Sequence, residues 1–129
     1  MSLFFKKVQR RNPQDAAAPS KWYASLKSVG RRKEKEIAVL AVEGTTLDPK
    51  EAQLAYSRFG KMALQSLLDG YTVEIEDFGS FRLTANSDST DTKEELTAKQ
   101  IKQVNLRFTP CEFAKDVLKK ATFKDLETM

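Results

Sequence analysis

The 129 residues, 40% hydrophobic and 31% charged, have the balance of one globular domain, which excludes wholesale disorder. There is no histidine and only one cysteine, Cys111, so the commonest general base and zinc ligand is missing and no internal disulfide can form. The net charge of +4 is unevenly placed: residues 1–36 carry ten Lys/Arg against three acids (+7), and residues 37–129 carry twelve against fifteen (−3).

Such asymmetry points to a basic N-terminal surface that meets an anionic partner. The glycines stand apart at 30, 44, 60, 70 and 79, which makes no phosphate-cradling loop. Cys111 has no histidine or second cysteine to pair with. No enzymatic activity, cofactor, metal or small-molecule substrate is therefore expected. No apolar run approaches the roughly 18–20 residues of a membrane span. Met1–Phe5 is too short for a signal core and precedes its positive charges, so a cytoplasmic location is expected.

Residues 3–10 and 21–29 are rich in aromatic and apolar residues with partial period-two alternation, and Trp22, Ala24 and Leu26 would share one strand face. Residues 11–20, punctuated by Pro13 and Pro19, form the loop between them. The segment reads as two strands, or alternatively as an arm ordered only by partners. Buried packing is the commoner fate for Trp22 and Tyr23. A helical pattern begins at Arg31 with Ile37, Leu40 and Ala41, and Gly44 offers a stop. Asp48, Pro49 and Glu51 mark a second helix start. That helix carries Ala52, Ala55, Tyr56, Phe59, Met62, Ala63 and Leu67 along one stripe, broadened by Leu64 and Leu68, and ends near Leu68–Gly70. An apolar girth wider than one neighbour covers suggests a dimer.

Tyr71, Val73 and Ile75 alternate with polar residues as a half-buried strand, followed by a turn at 77–80 and a second strand through Phe81 and Leu83. Glu74 and Glu76 are placed to pair with Arg82 or Arg107 across strands. Residues 85–95 read as a mobile loop, Val104, Leu106 and Phe108 as a third strand, and Thr109–Glu112 as the start of a last helix with Phe113, Val117 and Leu118. The tail at 124–129 is expected to fray.

Two segments carry a resemblance. Leu68–Phe81, with Asp77-Phe78-Gly79-Ser80-Phe81 at its end, and Leu106–Pro110 followed by Lys115–Leu118 are similar to the signature and final-helix entry of the HU and integration host factor family of bacterial histone-like proteins. The match covers about residues 33–120. It implies an α+β, HU-like fold: a helical hairpin, an antiparallel three-stranded sheet with a long arm loop, and a C-terminal helix, in an intertwined dimer. Residues 1–30 would be a basic strand extension, 31–123 the HU-like domain and 124–129 the tail. The resemblance further implies double-stranded DNA as partner, a homodimer, and a nucleoid location.

By that resemblance Phe78, Phe81 and Phe108 form an aromatic core beneath a DNA saddle, while Gly79 and Ser80 form a turn approaching phosphate. Arg82, Arg107 and Thr109 join the DNA-facing set, and Arg31, Arg32, Lys33 and Lys35 form a basic cluster where DNA flanks would pass. The chain departs from the family in its arm. Residues 85–102 hold Lys93, Lys99 and Lys102 against Asp88, Asp91, Glu94 and Glu95, a net −1, with no proline. Asp77 also stands in place of a glycine. The basic, proline-bearing function could instead sit at Lys6, Lys7, Arg10, Arg11 and Pro13, or Arg11-Asn12-Pro13 is an ordinary turn. The leading expectation is non-sequence-specific, architectural DNA binding; the alternative is an HU-like dimer that has lost strong DNA contacts and serves protein assembly.

Overall fold

The structure, a computed structural model, describes residues 2–15 and 17–128, which fall into two compact units: residues 1–32 with 117–129, and residues 33–116. The first unit is built on a hairpin. Strands β1 (Leu3–Arg10) and β2 (Lys21–Lys27) pair antiparallel in unbroken register from Phe4 opposite Lys27 to Arg10 opposite Lys21. The two runs of alternating sequence thus form strands, and Trp22, Ala24 and Leu26 share a face. The tail does not fray: Phe123–Asp125 forms a short parallel strand on the free edge of β1, with Leu3 opposite Phe123, and Leu126–Thr128 adds a 3₁₀ turn. The Leu3 amide donates to the Thr122 carbonyl at 2.8 Å, and the Ser2 and Thr122 hydroxyls lie 3.0 Å apart. These contacts cross the full length of the sequence, which is why local reading of the tail misses them.

The second unit begins with α1 (Glu34–Ala41), three residues later than the sequence pattern suggests. Gly44, at φ +74°, occupies the left-handed region soon after the helix. Helix α2 (Pro49–Leu68) starts as its signals require: Asp48 caps it by accepting from the Lys50 amide at 3.2 Å, and proline fills the first position. Gly70 follows its end at φ +97°. Strands β3 (Val73–Ile75), β4 (Gly79–Ser87) and β5 (Ile101–Pro110) form the antiparallel sheet, and α3 (Glu112–Leu118) follows. β4 and β5 run past the expected strand ends, and residues 98–100 form a 3₁₀ turn, so the irregular part of the connection lies at 88–97, later than the expected 85–95. Thr97 caps that turn through the Lys99 amide.

Val73, Phe81 and Phe108 stand side by side on one face of this sheet, next to Leu83 opposite Leu106. The rings of Phe81 and Phe108 lie 4.8 Å apart, and Phe78 meets Phe108 edge-on at 4.9 Å. Gly79 makes this close pairing possible. A Cβ there would collide with the Thr109 carbonyl oxygen and come within 2.7 Å of the Phe108 ring.

Little of the apolar material is covered within one chain. Among the described residues the buried hydrophobic ones are Ala38 and Leu67, and the stripe of α2 remains open at Tyr56, Phe59, Met62, Leu64 and Leu68. Trp22 is 66% exposed, against the expectation that it packs. The chain exposes 11406 Å². A compact monomer of its mass, 14.6 kDa, would expose about 6,900 Å², and two separate compact bodies sharing that mass about 8,300 Å².

Gly79→Ala should cost about 1–3 kcal/mol, since the methyl must displace backbone and ring together. A urea titration reads this as a lower midpoint; an unchanged midpoint would mean that β4 and β5 are not held this close.

Candidate functional site

Alternation along β4 and β5 puts the apolar residues on one face and a polar set on the other. On the polar face Ser80 lies opposite Thr109, Arg82 opposite Arg107, and Thr84 opposite Asn105. The two arginines are exposed and face one another across strands. Like charges placed in this way repel, by roughly 0.2–1 kcal/mol. Arg82 Nη1 donates to Thr109 Oγ1 at 2.8 Å, which fixes one guanidinium along the strand direction. The expected pairing with Glu74 or Glu76 does not form: among the described residues neither acid makes an ion pair with Arg82 or Arg107. Glu74 lies opposite Ser80, one pair along from Arg82, and Arg82 is turned to Thr109 instead.

The turn that leads into β4 is tight. Asp77 sits at φ +61°, the left-handed region, and the Phe78 amide donates to the Ile75 carbonyl at 3.1 Å. Aspartate adopts this region more readily than most residues, which explains how it can stand where the resemblance has glycine. Gly79 is buried and Ser80 half-buried, and the Phe78 carbonyl accepts from the Cys111 amide at 3.0 Å. Gly79 lets β4 and β5 pair closely over the ring cluster, and Ser80, Arg82, Arg107 and Thr109 form a hydrogen-bonding and cationic surface beside it. Thr84 and Asn105 belong to the same surface; they follow from the two-residue period but carry no charge to draw attention.

The remaining basic residues are spread over other places. Arg31 and Arg32 are exposed in the irregular segment before α1, Lys33 is its N-cap residue and Lys35 lies in its first turn, interleaved with Glu34 and Glu36. The Lys33 amide donates to Glu36 Oε2 at 3.0 Å, so that acid is committed to capping the helix. In the hairpin, Lys6 and Arg10 share one face of β1, while Lys7 points to the other and pairs with Asp125 at 3.4 Å. Arg11 and Pro13 lie in the β1–β2 connection. At the base of the β4–β5 loop Lys102 pairs with Asp88 at 3.3 Å, which ties one of the loop's few cations to an acid. Among the described residues there is no cluster of three metal-ligating side chains and no helix long and apolar enough to cross a membrane.

Comparison with known proteins agrees with this architecture. Residues 1–125 match the model of the HU-HIG family, described as an HU domain fused to a winged helix-turn-helix, Ig or glycine-rich motif. The chain belongs to the HU-HIG family. The match includes the N-terminal hairpin as well as the helices and the central sheet. Among solved structures, a candidate bacterial DNA-binding protein from Bacteroides vulgatus superimposes with a TM-score of 0.66 at 11% identity, over 97% of this chain and 48% of that one. The chain thus spans about half the length of that relative. HU from Anabaena, solved in complex with DNA, superimposes with a TM-score of 0.54 at 12% identity, over 69% of this chain and 99% of that one. These likenesses establish the HU-like α+β fold. No curated protein sequence matches the chain.

Arg107→Gln removes one of two facing like charges and no ion pair among the described residues. Thermal or urea unfolding should therefore show unchanged stability or a gain of up to about 0.5 kcal/mol. A clear loss would mean that Arg107 holds the sheet together.

Proposed function

We propose that this HU-HIG chain is a double-stranded DNA-binding module without sequence preference, acting as a homodimer in an architectural role on the nucleoid. The observation that carries the reading is the polar face of the three-stranded sheet, where Arg82 and Arg107 stand opposite each other and neither makes an ion pair among the described residues. A phosphate between two guanidinium groups turns their repulsion into two charge-assisted contacts. Ser80, Thr84, Asn105 and Thr109 supply short hydrogen-bonding groups around them. Contacts of this kind reach phosphate and sugar and carry no sequence information. The HU structure from Anabaena, which holds DNA, lends the reading its family precedent.

The homodimer follows from burial. Among the described residues the buried hydrophobic side chains are Ala38 and Leu67, and the α2 stripe and the Phe78–Phe108 rings are half open, surface that a second copy would cover. Full burial of such side chains stabilises by roughly 1.5–3 kcal/mol each. The loop between β4 and β5, with its excess of acid, favours a second reading in which the dimer assembles with proteins.

Two measurements test the reading. Light scattering over a dilution series should give a dimer with no folded monomer at micromolar concentration; a stable folded monomer would contradict it. Fluorescence anisotropy should show unrelated duplexes binding with similar affinity, with log K falling by about 0.9 per neutralised phosphate for each log unit of salt. Absence of salt-dependent binding in dilute buffer would leave protein assembly as the function.

A further inference from the structure

The N-terminal sheet sorts its charges more completely than the central one. Register places Phe4, Lys6, Val8 and Arg10 of β1 on the same face as Lys27, Ser25, Tyr23 and Lys21 of β2, and Lys124 of the tail strand lies beside Phe4. This face therefore carries Lys6, Arg10, Lys21, Lys27 and Lys124. The acid of the three strands, Asp125, lies on the opposite face, where it pairs with Lys7. None of the cations on the basic face makes an ion pair among the described residues.

Arg10 stands directly opposite Lys21, another like-charge pair that costs stability until an anion joins it. The Arg10 guanidinium lies 5.9 Å from the centre of the Tyr23 ring, which orients it without neutralising it. Beyond this pair the hairpin end forms a half-open hollow of about 440 Å³ lined by Arg10, Arg11, Lys21, Tyr23, Pro13 and Pro19, among others. Asp15, in the same connection, is turned to the Ala17 amide at 3.1 Å.

We infer that this basic face is a second binding surface for the phosphate backbone of duplex DNA, with the hollow at the hairpin end as the seat of one phosphate. The inference rests on the DNA-binding reading above and adds a separate surface to it. Charge density selects the partner. The six-residue separation of Lys21 and Lys27 spans about 20 Å of strand, a length over which a duplex presents on the order of twelve phosphates. A membrane is a poorer fit, because most of the exposed large apolar residues of this sheet, Leu3, Trp22, Leu26 and Phe123, lie on the face opposite the cations, while Phe4 and Val8 beside the cations are half-buried.

The test uses the full chain and anisotropy with a labelled duplex of arbitrary sequence. Replacing Lys6, Arg10, Lys21 and Lys27 together with glutamine should weaken binding at least tenfold and make the salt slope shallower by about two to four. Arg58→Gln, in the middle of α2, should leave both unchanged. Arg10→Gln with Lys21→Gln should reduce binding without lowering the melting temperature, which separates a ligand contact from a structural role. If the wild type shows salt-dependent binding and the fourfold variant keeps its full slope, this inference fails while the DNA-binding reading stands. If the wild type shows no such binding, both fail. Loss of binding to vesicles rich in phosphatidylglycerol, with duplex binding intact, would overturn the inference in favour of a lipid surface.

Discussion

Burial of apolar surface is what holds a chain of this size together, and here one copy encloses very little of it. Ala38 and Leu67 are covered, while the stripe of α2 and the phenylalanines of the sheet stay half open. One copy exposes a few thousand Å² more than compact bodies of the same mass would, surface that a second copy covers in the proposed dimer. In the proposed dimer the apolar face of the β3–β4–β5 sheet and the wide side of α2 turn toward a second copy. The polar face of the sheet is thereby left to solvent and to ligand. The fold's shortage of internal core and its supply of an open polar face have one cause, the two-residue period of the strands combined with an unusually apolar helix.

That period also arranges the charge. In each sheet it sets cation opposite cation, Arg82 with Arg107 and Arg10 with Lys21. In the N-terminal sheet it also puts Asp125 on the other face, whereas in the central sheet Glu74 shares the polar face but pairs with neither arginine among the described residues. Such pairs repel modestly in water, so they cost the free protein little while strengthening its hold on an anion. The basic residues that do find acids, Lys7 with Asp125 and Lys102 with Asp88, are the weaker candidates for contact. The acidic character of the β4–β5 loop therefore need not oppose the proposed function, because the cations on the two sheet faces could provide the phosphate contacts.

Much of this was legible in the sequence because its signals are local. Asp48-Pro49 marks the start of α2 to the residue, and alternation marks β1, β2 and the central sheet. The glycine at 79 and the aromatic residues around it carried the family resemblance. The tail strand was not legible: Phe123–Asp125 is too short to show a period, and its partner β1 lies at the other end of the chain. Without that strand Lys124 could not be placed on the basic face. The pairing of Lys7 away from Lys6 and Arg10 was hidden in the same way, since Asp125 supplies the partner. Pairing of Glu74 with arginine was expected from proximity on one face, but the geometry gave Arg82 to Thr109.

The central claim is that arginines facing unpaired cations across strands are where DNA is held. Nitrogen-15 NMR of the arginine side chains during titration with a duplex reads those groups directly. The account predicts that the Nε–H signals of Arg82, Arg107 and Arg10 shift on addition of DNA and return as salt is raised, while that of Arg58 in the middle of α2 stays in place. Binding of the duplex with the Arg82 and Arg107 signals unmoved would contradict it.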